Sequence, residues 1–184
     1  MRPDALLLLL SMLQPSARDL VRAALDSLGG ETRARSIASV RIDGAGYAGV
    51  DALTTFSFTE TRDNRTPQLV QDVTVILRPD YAQRSLRTLR TGDRGMDTWF
   101  TEAPENVLLA ALDAPDLASE GDTTVQFKWQ DRPVRVHLKP TLAVELNGAT
   151  TTWTHWQAGY PRQWAVTRNG KTVEAFSVSR VTIR

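Results

Sequence analysis

The sequence predicts an α+β fold: a strongly curved antiparallel β-sheet, a half-barrel, covered by two or three short helices. Three observations carry that expectation. Residues 123–184 alternate apolar and polar side chains almost without interruption and turn at short dipeptides, as successive β-hairpins do. Only two segments, 18–28 and 104–112, show a clear helical stripe, and both are short for so much sheet. Near the C-terminus the alternation slips by one residue and slips back, which bulges in a bent sheet produce.

Taken in order, residues 1–17 read as an export leader. Arg2 and the α-amino group are positive, residues 5–13 are apolar apart from Ser11, and Ala17 stands where cleavage would follow. Asp4 and Pro15 depart from that pattern. The run is too short to span a bilayer as a helix. The expectation is a periplasmic protein with a single domain at 18–184.

Leu20, Val21, Ala24, Leu25 and Leu28 form one stripe, and Gly29-Gly30 ends that helix, glycine taking the left-handed C-cap conformation cheaply. Residues 31–37 add a helical turn, and 39–43 begin the sheet with Val40 and Ile42 on one face. Gly44-Ala45-Gly46-Tyr47-Ala48-Gly49 has the spacing of a dinucleotide loop. That reading needs a helix after the third glycine, whereas residues 53–59 are β-branched and aromatic, so the glycines fit a bent or bulged strand better. Strands follow at 56–61, 69–77 and 85–90, broken at 63–67 and at Pro79-Asp80. Arg84, Arg87 and Arg90 lack stacking aromatics beside them and precede an acidic segment, so they read as a solvated face rather than a nucleic-acid groove. Pro104 opens the second helix, whose face is Val107, Leu108, Ala111 and Leu112, and Pro115 stops it.

The first hairpin sets Val125, Phe127 and Trp129 against Val134, Val136 and Leu138 across residues 130–133. The second turns at Asn147-Gly148 and joins Leu142, Val144 and Leu146 to Ala149, Thr151 and Trp153. The third turns at Asn169-Gly170. Both Asn-Gly pairs suit a type I′ turn, which needs positive φ at both central residues.

Much chemistry is excluded. Without cysteine there is no disulfide, thiolate nucleophile or thiolate metal site, and two histidines cannot build a multi-histidine centre. A net charge of +1 gives no pull toward nucleic acid. His137 lies on the polar parity; His155 shares the parity of Trp153, and a small hydrolase centred on it is one reading, without any Gly-x-Ser-x-Gly elbow. No cofactor or metal is implied. What remains is the aromatic inventory: five tryptophans, four of them in the hairpin region. A curved sheet larger than its helices would leave an apolar concavity, and such a hollow binds apolar ligands.

Several segments resemble a known domain. Leu25-Asp26-Ser27-Leu28-Gly29-Gly30 followed by Ile37-Ala38-Ser39-Val40, the stretch LLAALDAPDL at 108–117, Pro133-Val134-Arg135-Val136 and YPRQWAVTRNG at 160–170 are similar to a LolA/LolB-like half-barrel of the kind found ahead of metallo-β-lactamase-fold hydrolase domains in exported bacterial proteins. The zinc motif of that hydrolase is missing from this sequence. The resemblance therefore implies the accessory half-barrel alone, with a lipoprotein-carrier role as fold-level analogy. The expectation is a non-enzymatic binding or carrier domain holding an acyl chain, a lipid or another apolar ligand, an acylated protein among them, against Phe127, Trp129, Leu142, Val144, Trp153, Trp164 and Val166. Transient membrane proximity and a partner protein are compatible with it. The alternative is a structural or interaction module accessory to a separate hydrolase.

Overall fold

The computed structural model describes residues 15–49, 54–66, 68–78, 81–90 and 94–184. Most of the leader segment, Pro67 and the break at Pro79-Asp80 lie outside them. Helix α1 (Ala17–Ser27) starts from a capping box: the Asp19 amide donates to Ser16 Oγ at 3.2 Å, and the Ser16 amide donates to Asp19 Oδ2 at 3.2 Å. Its stripe buries Val21 and Leu25 completely. Gly29, at φ +105°, turns the chain into α2 (Glu31–Ser36).

Strand β1 (Ser39–Ala48) continues through the glycine-rich stretch, with a register shift against the last strand of the chain between Asp43 and Gly44, as a bulged strand would. It is followed by β2 (Thr54–Asp63), β3 (Gln68–Arg78) and β4 (Tyr81–Arg90). Two helices come next, α3 (Arg94–Thr101) and α4 (Pro104–Asp113). A continuous meander completes the chain: β5 (Ala118–Glu120), β6 (Thr124–Trp129), β7 (Arg132–His137), β8 (Ala143–Leu146), β9 (Ala149–Gln157), β10 (Tyr160–Arg168) and β11 (Lys171–Ile183).

These strands make one antiparallel sheet in the order β4-β3-β2-β1-β11-β10-β9-β8-β7-β6-β5. The first and last strands pair at its middle, and the edges are β4 and β5. Because the sheet is curved and not closed, it forms the expected half-barrel, and the segment carrying α3 and α4 leads from one edge to the other. A single apolar core fills the space between inner face and helices.

Three local expectations need correction. Helix α3 and strand β5 are additional elements; α3 is eight residues long and includes Gly95, and its Met96, Trp99 and Phe100 stand at helical spacing, with Phe100 wholly buried. The first hairpin turns tightly at Gln130-Asp131, both at positive φ (50° and 60°), instead of across four residues. A further hairpin joins β9 to β10 at Ala158-Gly159 (φ 52° and 72°). The Asn-Gly turns are present as expected, with φ 53° and 72° at Asn147-Gly148 and 49° and 72° at Asn169-Gly170.

The glycines of β1 have a packing role. Gly44 faces Phe58 and Gly46 faces Phe56 on β2, and the β1–β11 register shifts between Asp43 and Gly44. A Cβ on Gly44 would lie 2.5 Å from the Ser177 carbonyl oxygen and 2.9 Å from the Phe58 ring. Backbone cannot yield as a flexible side chain does. Gly44→Ala is therefore expected to cost about 1–3 kcal/mol of stability, read from urea unfolding; a loss below about 0.5 kcal/mol, the range of an ordinary surface substitution, would contradict this account.

Candidate functional site

Strand β2 sets the site through its period of two. Phe56, Phe58, Glu60 and Arg62 share its inner face, so two aromatic residues are followed by two charged ones. The aromatic end joins a cluster across the sheet: Phe58 meets Phe176 edge-on at 5.7 Å, and Phe176 stacks on Trp164 at 4.9 Å. Glu60 and Arg62 are both 0% exposed. Fully buried charges must be paired to persist.

Their partners come from the sheet and from the helices. Arg62 Nε donates to Glu60 Oε1, and Gln71 Nε2 on β3 donates to Glu60 Oε2 at 2.9 Å. The other two guanidinium nitrogens point at Glu102, in the short link between α3 and α4. Nη1 donates to the Glu102 carbonyl at 2.7 Å and to the Tyr160 hydroxyl at 3.3 Å, while Nη2 donates to Glu102 Oε2 at 3.2 Å. The guanidinium carbon also lies 5.7 Å from the Trp164 ring centroid. Around this knot, Trp99 Nε1 donates to the Asp63 carbonyl at 3.1 Å and Asn106 Nδ2 to Asn64 Oδ1 at 3.4 Å. The end of β2 thus holds the whole α3–α4 unit against the concave face.

Electrostatically the seam is overloaded with acid. Burial works against the Arg62 charge, but Glu60, Tyr160, Glu102 and Glu105 outweigh it and hold its proton firmly. Glu102 is driven well above the usual carboxylate range by burial and by Glu60, with Arg62 opposing. Burial likewise raises Glu105. Burial also raises the Tyr160 phenol, against the pull of Arg62. Among the described residues four buried polar atoms, Glu105 Oε1, Trp153 Nε1, Arg162 Nε and Trp164 Nε1, make no hydrogen bond.

A pH prediction follows for Glu105. Its folded pKa lies above its unfolded one, so its contribution to stability is complete below the unfolded value, about pH 4.3, and is lost as pH rises through the folded value. Glu105→Gln is accordingly expected to gain stability relative to the native chain as pH rises from that value. Urea unfolding of both across the pH range tests it. Parallel curves would refute it.

The seven residues expected to line the concavity do share the inner face. Val144 and Trp153 are 0% exposed, Trp164 2% and Phe127 4%, while Trp129, Leu142 and Val166 are partly buried against the same core. The expectation of uncovered apolar lining does not hold in this form, because four helices cover the face, and their Val21, Leu25, Phe100, Val107 and Leu108 are wholly buried in that core. Open hollows lie elsewhere. One of about 800 Å³ borders the polar parity of β6 and β7, including Gln126, Lys128 and Arg135; another of about 500 Å³ lies between α2 and α4 over Ile37, Trp99, Leu109 and Trp129. Of the seven residues, Phe127 reaches the first and Trp129 the second.

His155 does not share Trp153's surroundings. At φ +53° it is exposed, its Nδ1 lies 3.3 Å from Thr154 Oγ1, and among the described residues no carboxylate hydrogen-bonds to it. The β9–β10 register continues across it, and the following Trp156, on the outward parity, is 39% exposed. His137 is half-buried and bonds Glu145 at 2.8 Å. Among the described residues no group of three or more His, Asp or Glu is placed to hold a metal, and no helix is long and apolar enough to cross a membrane.

No protein-family model matches the chain, and neither does any curated protein. Among solved structures it is similar to Pseudomonas aeruginosa MucB in its complex with MucA, at 12% identity and a TM-score of 0.37, over 89% of this chain and 56% of that one. Similar too are MucB in complex with MucA(peri), at 13% and 0.35 over 88% and 55%, and MucB alone, at 12% and 0.35 over 87% and 57%. The chain spans little more than half the length of those it matches, and similarity at this level assigns neither ligand nor partner.

Proposed function

We propose that this chain is a non-enzymatic, periplasmic binding module in which α3 and α4 form a displaceable cover, and that an acyl chain or comparable apolar ligand takes their place against the concave face. One observation carries the reading: the seam beneath the cover is charged. Buried ion pairs are seldom the most stable filling for an interior, since apolar groups of similar volume often do as well or better. Here Arg62 and Glu102 join sheet to cover, and Glu105 Oε1 and Trp153 Nε1 stay unsatisfied. A permanent plug has no use for such groups, whereas a cover that must lift gains from a seam weaker than continuous apolar packing. The sequence resemblance to lipoprotein-carrier half-barrels supports the same reading.

Amide hydrogen exchange of the full chain with and without palmitate tests it. Faster exchange in α3 and α4, with β9 to β11 unchanged, is the expected result. Unaltered exchange in both helices at saturating palmitate would overturn the proposal.

The filled concavity favours a second reading, an interaction module that works through a sheet edge. Among the described residues β4 pairs with β3 alone along its ten residues, which offers a backbone edge to an added strand. In that case α3 and α4 would keep their protection whatever amphiphile is supplied.

A further inference from the structure

We infer that Arg62 is a head-group site for a long-chain carboxylic acid, and that Glu102 occupies this site while the cover is closed. The inference rests on the displaceable-cover reading and adds to it the chemistry of the ligand's polar end.

The partners of Arg62 divide by the layer that supplies them. Glu60 stands two residues away on the same strand and is held by Gln71 of the neighbouring strand, so this half of the network belongs to the sheet and survives any movement of the helices. Tyr160, on β10, is likewise a sheet residue. The carboxylate oxygen facing Nη2 and the carbonyl facing Nη1 both belong to Glu102, so both leave with the cover. Lifting α3 and α4 would leave two guanidinium N–H groups in an apolar concavity with one neutral hydroxyl between them. An unpaired guanidinium edge inside a protein is expensive, and a carboxylate, with two oxygens in one plane, is the group whose geometry matches it.

Charge and shape agree with that occupant. Arg62 and Glu60 offset each other, so an incoming carboxyl group replaces the Glu102 carboxyl at Nη2 one for one and adds no acidic group beyond those of the closed form. Glu105 departs with α4 and adds no repulsion. Beside the guanidinium lie the Trp164 face and the Phe58 and Phe176 rings, against which an alkyl chain would lie. The indole N–H of Trp153, directly across from Trp164 in the β9–β10 register and without an acceptor, supplies a further donor on the same face. An alcohol or ester of the same chain length offers neither the charge nor the paired oxygens.

The test compares palmitate with hexadecanol on the full native chain, by tryptophan fluorescence titration at mildly alkaline pH. Palmitate is expected to bind about tenfold or more tightly than hexadecanol, the margin that charge-assisted hydrogen bonds supply. Equal affinities would overturn the head-group assignment while leaving the apolar-ligand reading in place. Binding of neither would sink both. Glu102→Gln, which removes the internal carboxylate but keeps the shape of the link, is expected to strengthen palmitate binding several-fold and leave hexadecanol less affected; an unchanged palmitate affinity would overturn the part given to Glu102. Arg62→Lys, which keeps the charge and loses the planar fork, is expected to erase most of the preference for palmitate, and a preference kept in full would refute the assignment.

Discussion

Arg62→Ala is expected to lower the free energy of unfolding by about 3–5 kcal/mol, the range for removing one partner of a buried ion pair, in urea unfolding near neutral pH. The guanidinium is wholly buried and is the cation bonded to both Glu60 and Glu102, so truncation strands carboxylates inside the core as well as opening a cavity. Because Glu102 is already held toward its protonated form by burial, part of the loss should return as pH falls and the stranded acids take up protons. Pairing the change with Glu102→Leu gives a sharper readout. The double variant should cost less than the sum of the two single changes, since the second removes an acid that the first leaves unpaired. A single-variant loss under about 1 kcal/mol, the value of an exposed pair, would show that the network is not the interior joint described above.

Trp153→Ala comes next in size, at about 3–5 kcal/mol, the usual cost of deleting a buried large aromatic side chain. Trp153 has no solvent-accessible surface and stands opposite Trp164 in the inner-face register. Trp153→Phe separates volume from polarity. It removes an indole N–H that makes no hydrogen bond, so the polar part of the change carries no penalty and the loss should stay well below that of alanine. A phenylalanine variant as damaged as the alanine one would mean that the indole N–H has a partner after all.

The fold was legible where local rules decide it. Asn147-Gly148 and Asn169-Gly170 require positive φ and fix two hairpins; the stripe from Leu20 to Leu28 needs a buried face; and the glycines at 44 and 46 fit a bulged strand. Other features were illegible because tertiary structure makes them. Helix α3 is only eight residues long, and the Gln130-Asp131 turn uses two residues that adopt positive φ without glycine. His155 keeps the parity of Trp153, but it takes a left-handed backbone near the strand's end and is exposed there, and no sequence rule marks that position.

The charged seam is a different case. Its signal was present, since the period of two that puts Phe56 and Phe58 inward also puts Glu60 and Arg62 inward. Glu102 could not have been found that way. It lies forty residues on in a two-residue link, and only the packing of α3 against β3 and β4 brings it to Arg62. The covering of the seven aromatic and aliphatic residues involves α3, whose eight residues are too short a stretch for their spacing to mark a helix.

The central claim is that the filled concavity can be vacated for an apolar chain. A fatty acid brominated at mid-chain tests it most directly when titrated into the full chain carrying Trp156→Phe, which removes the most exposed indole. Saturable quenching that reaches the buried emission of Trp153 and Trp164 is the predicted result. Quenching that never saturates, or that spares the buried emission, would mean the helices are a fixed part of the core.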